Sequence, residues 1–187
     1  MIGQHEPIIA VGTDLKKALA IGLDECTTAL EESFHDLTEE QVWKRYPVTG
    51  RHNIGTLVMH SLENLNGHAI WIQGGTGFVG EEEWFDVWEH SPEELTRLQT
   101  QVPSVSSMRE LTQKTRETAL RVLEHTEPEQ LQQPRPDSPW FEHHPGRTAA
   151  DAYMRTIMHT MGHVRQIWCL RGALETHTDT WPMQHYA

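Results

Sequence analysis

The segment from Ala149 to Arg171 is long and weakly charged, and it contains two histidines four residues apart, His159 and His163. Its pattern predicts a helix over about 148–174. On a helix this spacing rotates the second side chain by only about 40° and raises it by roughly 6 Å, so both imidazoles can face one point. Two interpretations stay open at this point: a shared divalent metal ion, or a chance pairing among the 13 histidines of the 187-residue chain.

This last helix is unusual because its apolar residues lie on two sides. One side carries Ala150, Tyr153, Met154, Ile157, Met161, Val164 and Trp168, and the roughly opposite side carries Ala152, His159, His163, Gln166 and Leu170. A helix that is apolar nearly all round is buried nearly all round. We therefore expect one side to pack on the rest of the chain and the other on a second subunit or a covering loop.

Three further stretches have the periodicity of amphipathic helices. The first is predicted over about 13–35, the second from a cap at Asn53 to Gly74-Gly75, and the third from a capping box at Ser107 to about His125. Their apolar stripes are Leu15, Leu19, Leu23, Cys26 and Leu30; Ile54, Val58, Leu65, Ala69 and Ile72; and Met108, Leu111, Thr115, Ala119, Val122 and Leu123.

Thr38 and Gln41 form a further capping box, which predicts a short helical turn between the first two helices. The chain shows no convincing alternation of polar and apolar residues that would indicate strands. Long connections separate the second helix from the third and the third from the fourth. The sequence therefore predicts an all-α, antiparallel four-helix bundle that forms a single domain over 1–187.

The charge and cysteine content limit the classes of function. Lys and Arg total 15 against 27 Asp and Glu, a net charge of -12, which disfavours nucleic acid and anionic membranes as partners. Cys26 and Cys169 form no ligand-spaced set, and no uninterrupted apolar run approaches the roughly 18 residues of a membrane span. Because the first residues also lack an export leader, we expect a cytoplasmic protein with reduced thiols.

A third histidine, His60, lies on the predicted second helix. By helical angle it stands away from the centre of the apolar stripe, on a flank shared with Leu57, Asn64, His68 and Trp71. The stripe therefore does not require it. A partly exposed histidine on the helix flank and a metal ligand are both compatible with this position.

Two connections carry residues that could also reach a site. Gly75 to Pro103 could form a lid, although an acidic surface segment with packed tryptophans is the commoner case. His143 and His144 precede Pro145 in the later connection, where histidines are more often solvated than bound to a metal.

Two motifs resemble one known family. Ile54-Gly-Thr-Leu-Val-Met-His60, followed about a hundred residues later by His159-Thr-Met-Gly-His163-Val-Arg-Gln-Ile167, resembles the DinB/YfiT superfamily of bacterial four-helix bundles. The resemblance implies one metal ion held by His60, His159 and His163, in an antiparallel bundle that often dimerises. Arg165 stands where the family usually has Gly, and Gly162 where another His is common, but neither change removes a ligand.

Similar proteins include transferases and isomerases that use a low-molecular-weight thiol such as bacillithiol, mycothiol or glutathione, and many others with no assigned reaction. Three neutral imidazoles leave at least one position of an ion open to water or substrate, as in catalytic sites. Zinc and nickel both suit imidazole. A partner for the other ring nitrogen of each ligand could come from Glu63, Asn64, Asp151 or Gln166.

Three hypotheses follow. The first is a metal-dependent enzyme that transfers a low-molecular-weight thiol to a small electrophile or hydrolyses a small substrate, and that forms a homodimer. The second is a stress-related bundle that binds a metal or small molecule without turnover. The third is a bundle in which the histidines merely pack. A metalloprotease of the His-Glu-x-x-His kind is disfavoured because Thr160 stands where that mechanism needs a glutamate.

Overall fold

A computed structural model describes residues 8–44, 53–75, 96, 100, 104–135 and 138–173. Within these ranges the chain is helical and contains no strand, which confirms the all-α prediction. The α-helices are α1 (Ile8–Glu32), α2 (Glu39–Trp43), α3 (Ile54–Leu65), α4 (Val105–Glu124), α5 (Pro139–His143) and α6 (Ala149–Ala173). The proposed lid over Gly75 to Pro103 falls almost entirely outside the described residues.

Helix α3 is the most deeply buried of these helices. Every residue from Ile54 to Glu63 is buried, because α3 packs against α6 and α4 and is also contacted by α2. It continues directly into a π-helical turn, Asn66–Trp71, and the chain leaves this turn at Gly74, whose φ is +82°. Helix α1 completes the bundle by packing on both α6 and α4. No helix in the described ranges is long and apolar enough to cross a membrane.

The helix boundaries follow local hydrogen bonds. The Thr38 and Gln41 capping box is present, with bonds of 2.9 and 3.2 Å, and Asn53 Oδ1 accepts the Thr56 N–H at 2.8 Å. The prediction of a cap at Ser107 is wrong. Ser104 Oγ accepts the Ser107 N–H at 3.0 Å, so α4 begins one turn earlier than expected.

Within the single chain, one side of α6 is buried and the other is exposed, and cover of the exposed side by a second subunit or a loop stays a prediction. Its buried face contains Ala149, Ala152, Tyr153, Thr156, Thr160, His163, Val164, Ile167, Leu170 and Arg171. Met154 and Met158, on the other side, are 45% and 68% exposed. The buried stripe is centred on two threonines that hydrophobicity alone counts as polar. His163 therefore faces the core, and His159 lies at the edge of the buried face.

Candidate metal centre

The antiparallel packing of α3 on α6 brings three distant histidines together. At one end of this pair of helices, Gln73 Nε2 donates to the Ala149 carbonyl at 3.4 Å. Toward the other end, His60 on α3 meets His159 and His163 on α6. The structure thus places all three predicted residues in one cluster, although they are about a hundred positions apart in sequence.

The three imidazoles converge through their Nε2 atoms. His159 Nε2 lies 3.2 Å from His60 Nε2 and 3.3 Å from His163 Nε2. Two nitrogens bound to one tetrahedral ion at about 2.0–2.1 Å would be separated by roughly 3.3 Å. The spacing of His159 from each of its two neighbours therefore fits a small divalent ion, and the three donor atoms, all within 4.8 Å of one another, could hold one.

Two of the rings are oriented by neighbours on their own helices. His163 Nδ1 donates to Gln166 Oε1 at 2.7 Å, and His60 Nδ1 lies 3.5 Å from Glu63 Oε2. A proton on each Nδ1 leaves the Nε2 lone pair directed into the cluster. Such lone pairs repel any other lone pair at this range unless a cation or a proton lies between them.

Burial keeps His159 in the form that binds metals. Burial, with smaller contributions from nearby His163 and His60, lowers the pKa of His159 to about 4, so the ring is neutral at pH 7. Its ring is nevertheless more exposed than those of its partners: His159 has intermediate exposure, whereas His60 and His163 are 9% and 6% exposed. The cluster is therefore more open on the His159 side.

The expectation that His60 could be a partly exposed histidine on the flank of its helix is wrong, because α6 covers that flank. Asp151 also has a different role from the one considered. It accepts hydrogen bonds from the Thr148 N–H at 2.8 Å and the Thr148 hydroxyl at 3.0 Å, which caps α6. Of the four candidate outer partners, Glu63 and Gln166 are the ones placed beside ligand rings.

One neighbouring histidine was not singled out from the sequence. His68 lies two turns after His60 in the π-helical segment, and its Nδ1 donates to the Asn64 carbonyl at 3.2 Å. Burial lowers its pKa to about 4. In the sequence, the feature that pointed to His68 was the recurrence of His60, Asn64 and His68 every four residues, which places them on one side of the helix. His143 and His144 lie outside the cluster, and His144 stacks on Trp140 at 4.3 Å.

Comparison with known proteins identifies the family. The sequence profile of the DinB superfamily matches residues 22–167. The chain belongs to the DinB superfamily. No curated protein and no solved structure matches it. The matched range includes all three histidines, and membership of the DinB superfamily together with this cluster fits a metal-binding protein.

We expect Gln166→Ala in this DinB-superfamily chain to weaken metal binding by about 10- to 100-fold, because the His163 ring would lose the acceptor that orients it. Competition titration with a chelating dye measures this change. Arg165→Ala is the matched control, since Arg165 is an exposed neighbour on the same helix. Equal metal affinity in the two variants would contradict the role assigned to Gln166.

Proposed function

We propose that this chain is a metal-dependent enzyme in which His60, His159 and His163 hold one divalent ion, zinc or nickel. It transfers a low-molecular-weight thiol to a small electrophile or hydrolyses a small substrate. The observation that carries this proposal is the convergence of the three imidazoles, with the His163 ring bonded to Gln166 and the His60 ring 3.5 Å from the Glu63 carboxylate.

The number and type of donors favour catalysis over a structural role. Three protein ligands leave at least one coordination position for a substrate atom, whereas structural zinc sites use four. A divalent ion there would lower the pKa of a thiol or of water and stabilise the resulting anion. The buried imidazoles of His60 and His163 fix the position, and the more exposed His159 side supplies the access.

The bundle does not need a metal for its stability. Its hydrophobic core extends over α1, α3, α4 and α6, and a chain of this length buries enough apolar surface to fold unaided. This separates the cluster from metal sites that exist to hold small domains together. The homodimer and the cytoplasmic location stay predictions.

The test combines metal analysis with a reaction screen. Purified, untagged protein should contain about one divalent ion per chain. With a panel of thiols and a small epoxide, it should consume both reactants only when the metal is present. His159→Ala is the inactive control. Absence of a bound metal would end this proposal, and a bound metal without turnover of thiols or simple esters would favour the binding protein instead.

A further inference from the structure

A cavity of about 250 Å³ opens beside α6, on the side away from the core. Trp140 and His144 form one wall of it, and Met154 and Met158 form another. The Trp140 and His144 rings are stacked at 4.3 Å with an interplanar angle of 15°, and His144 Nδ1 is 2.9 Å from the Trp140 carbonyl. The aromatic wall is therefore held rigidly by its own contacts.

The two methionines give the cavity an adaptable apolar side. Met154 and Met158 are one helical turn apart and are among the most exposed large apolar residues of the described chain. Thioether side chains are flexible and polarizable, and they fit irregular apolar groups. A bare inorganic ion would leave this apolar lining in water, so the walls favour an organic molecule.

The charged rim of the cavity is positive. Asp151 is already compensated, because it accepts two bonds from Thr148 and lies 3.6 Å from Arg147. Arg155 also lines the cavity, and no carboxylate of the described residues lies within salt-bridge distance of it. In a chain with a net charge of -12, this arginine marks a local site for an anion.

The same arginine connects the cavity to the histidine cluster. Arg155 precedes His159 by one turn of the same helix. The Trp140 ring also lies edge-to-face with His68 at 5.5 Å. None of the three cluster histidines lines the cavity, which therefore lies about one turn of α6 away from His159.

We propose that this cavity binds a small organic carboxylate with an apolar or thioether body, and that Arg155 holds the carboxylate. Trp140 and the two methionines contact the body of the molecule. Arg155 contacts the bound molecule directly, and the cluster histidines do not line the cavity. The assignment of this molecule as a substrate rests on the proposed function. Its binding to the cavity does not depend on that function.

The test uses S-methyl-N-acetylcysteine and its methyl ester, which differ in the carboxylate and contain no free thiol. Titration of the full chain, with and without added zinc, should show the acid binding about tenfold more tightly than the ester. In methyl-labelled methionine spectra the acid should shift Met154 and Met158. Arg155→Gln should remove the preference for the acid, and Arg165→Gln, on an exposed part of the same helix, should retain it.

Met158→Glu supplies a second variant: loss of the methionine contact should weaken binding of both compounds, and the added negative charge should weaken binding of the acid further, so the preference for the acid should shrink. Equal affinity for acid and ester, or equal behaviour of Arg155→Gln and Arg165→Gln, would overturn the cavity assignment. Binding of the acid by a chain that holds no metal would overturn the proposed function alone. Metal binding and turnover without any preference for the acid would overturn the cavity assignment alone.

Discussion

His159→Ala should lower the affinity for a divalent ion by more than about 100-fold, since even replacing an outer partner of a ligand costs 10- to 100-fold. His159 is the residue whose Nε2 lies within 3.3 Å of both other donors, so its removal leaves two nitrogens on different helices. Elemental analysis of the purified variant, followed by a competition titration, measures the loss. We expect His60→Ala to behave in the same way.

The fold should survive this change, which makes the result interpretable. His159 lies at the edge of the buried face of α6, so its truncation removes little core packing. His143→Ala is the matched control, because His143 is exposed and stands outside the cluster. If His159→Ala retained one tightly bound ion, that ion would have to bind outside the histidine cluster.

Asp36→Ala should destabilise the chain by about 2–3 kcal/mol, because it removes the carboxylate that pairs with a buried arginine. Arg171 is 3% exposed, and its guanidinium donates to the two Asp36 oxygens at 2.6 and 2.8 Å. In the variant, Arg171 would keep its contacts with the Ser33 carbonyl at 3.0 Å and the Trp168 ring at 4.4 Å but would lose this carboxylate. Denaturant unfolding measures the change.

Two comparisons sharpen this prediction. Adding Arg171→Met to Asp36→Ala removes the buried positive charge and should recover most of the lost stability, because an apolar residue of similar length suits a buried site. Glu31→Ala, which breaks a more exposed pair with Arg109, should cost less than about 1 kcal/mol. A double variant as unstable as Asp36→Ala would show that the buried charge of Arg171 is not the cause of the loss.

The pH dependence of this pair has a definite sign. The Arg171 guanidinium lowers the pKa of Asp36 below its ordinary value of 3.8. A carboxyl whose pKa is lowered by folding stabilises the protein above its unfolded pKa, and this contribution is lost as the pH falls through the folded pKa. The difference between wild type and Asp36→Ala should therefore be complete at pH 7 and shrink below about pH 4.

Features set by neighbours within one turn could be predicted from the sequence. The caps at Thr38 and Asn53 and the spacing of His159 and His163 depend on backbone geometry that repeats every 3.6 residues. The cap of α4 was misplaced by one turn because both Ser104 and Ser107 are good capping residues. Which serine caps the helix depends on the backbone conformation of the preceding segment, and the spacing of apolar residues does not specify that conformation.

Features that join distant segments were decided by the tertiary structure. Whether His60 is a buried member of the cluster, and which side of α6 is covered, depends on how α3 packs on α6. The same packing places Gln166 beside a ligand and leaves Asp151 to cap its helix. The sequence by itself determined an all-helical chain and three candidate histidines. The tertiary structure made them one cluster, because burial and convergence come from contacts between residues that no local pattern relates.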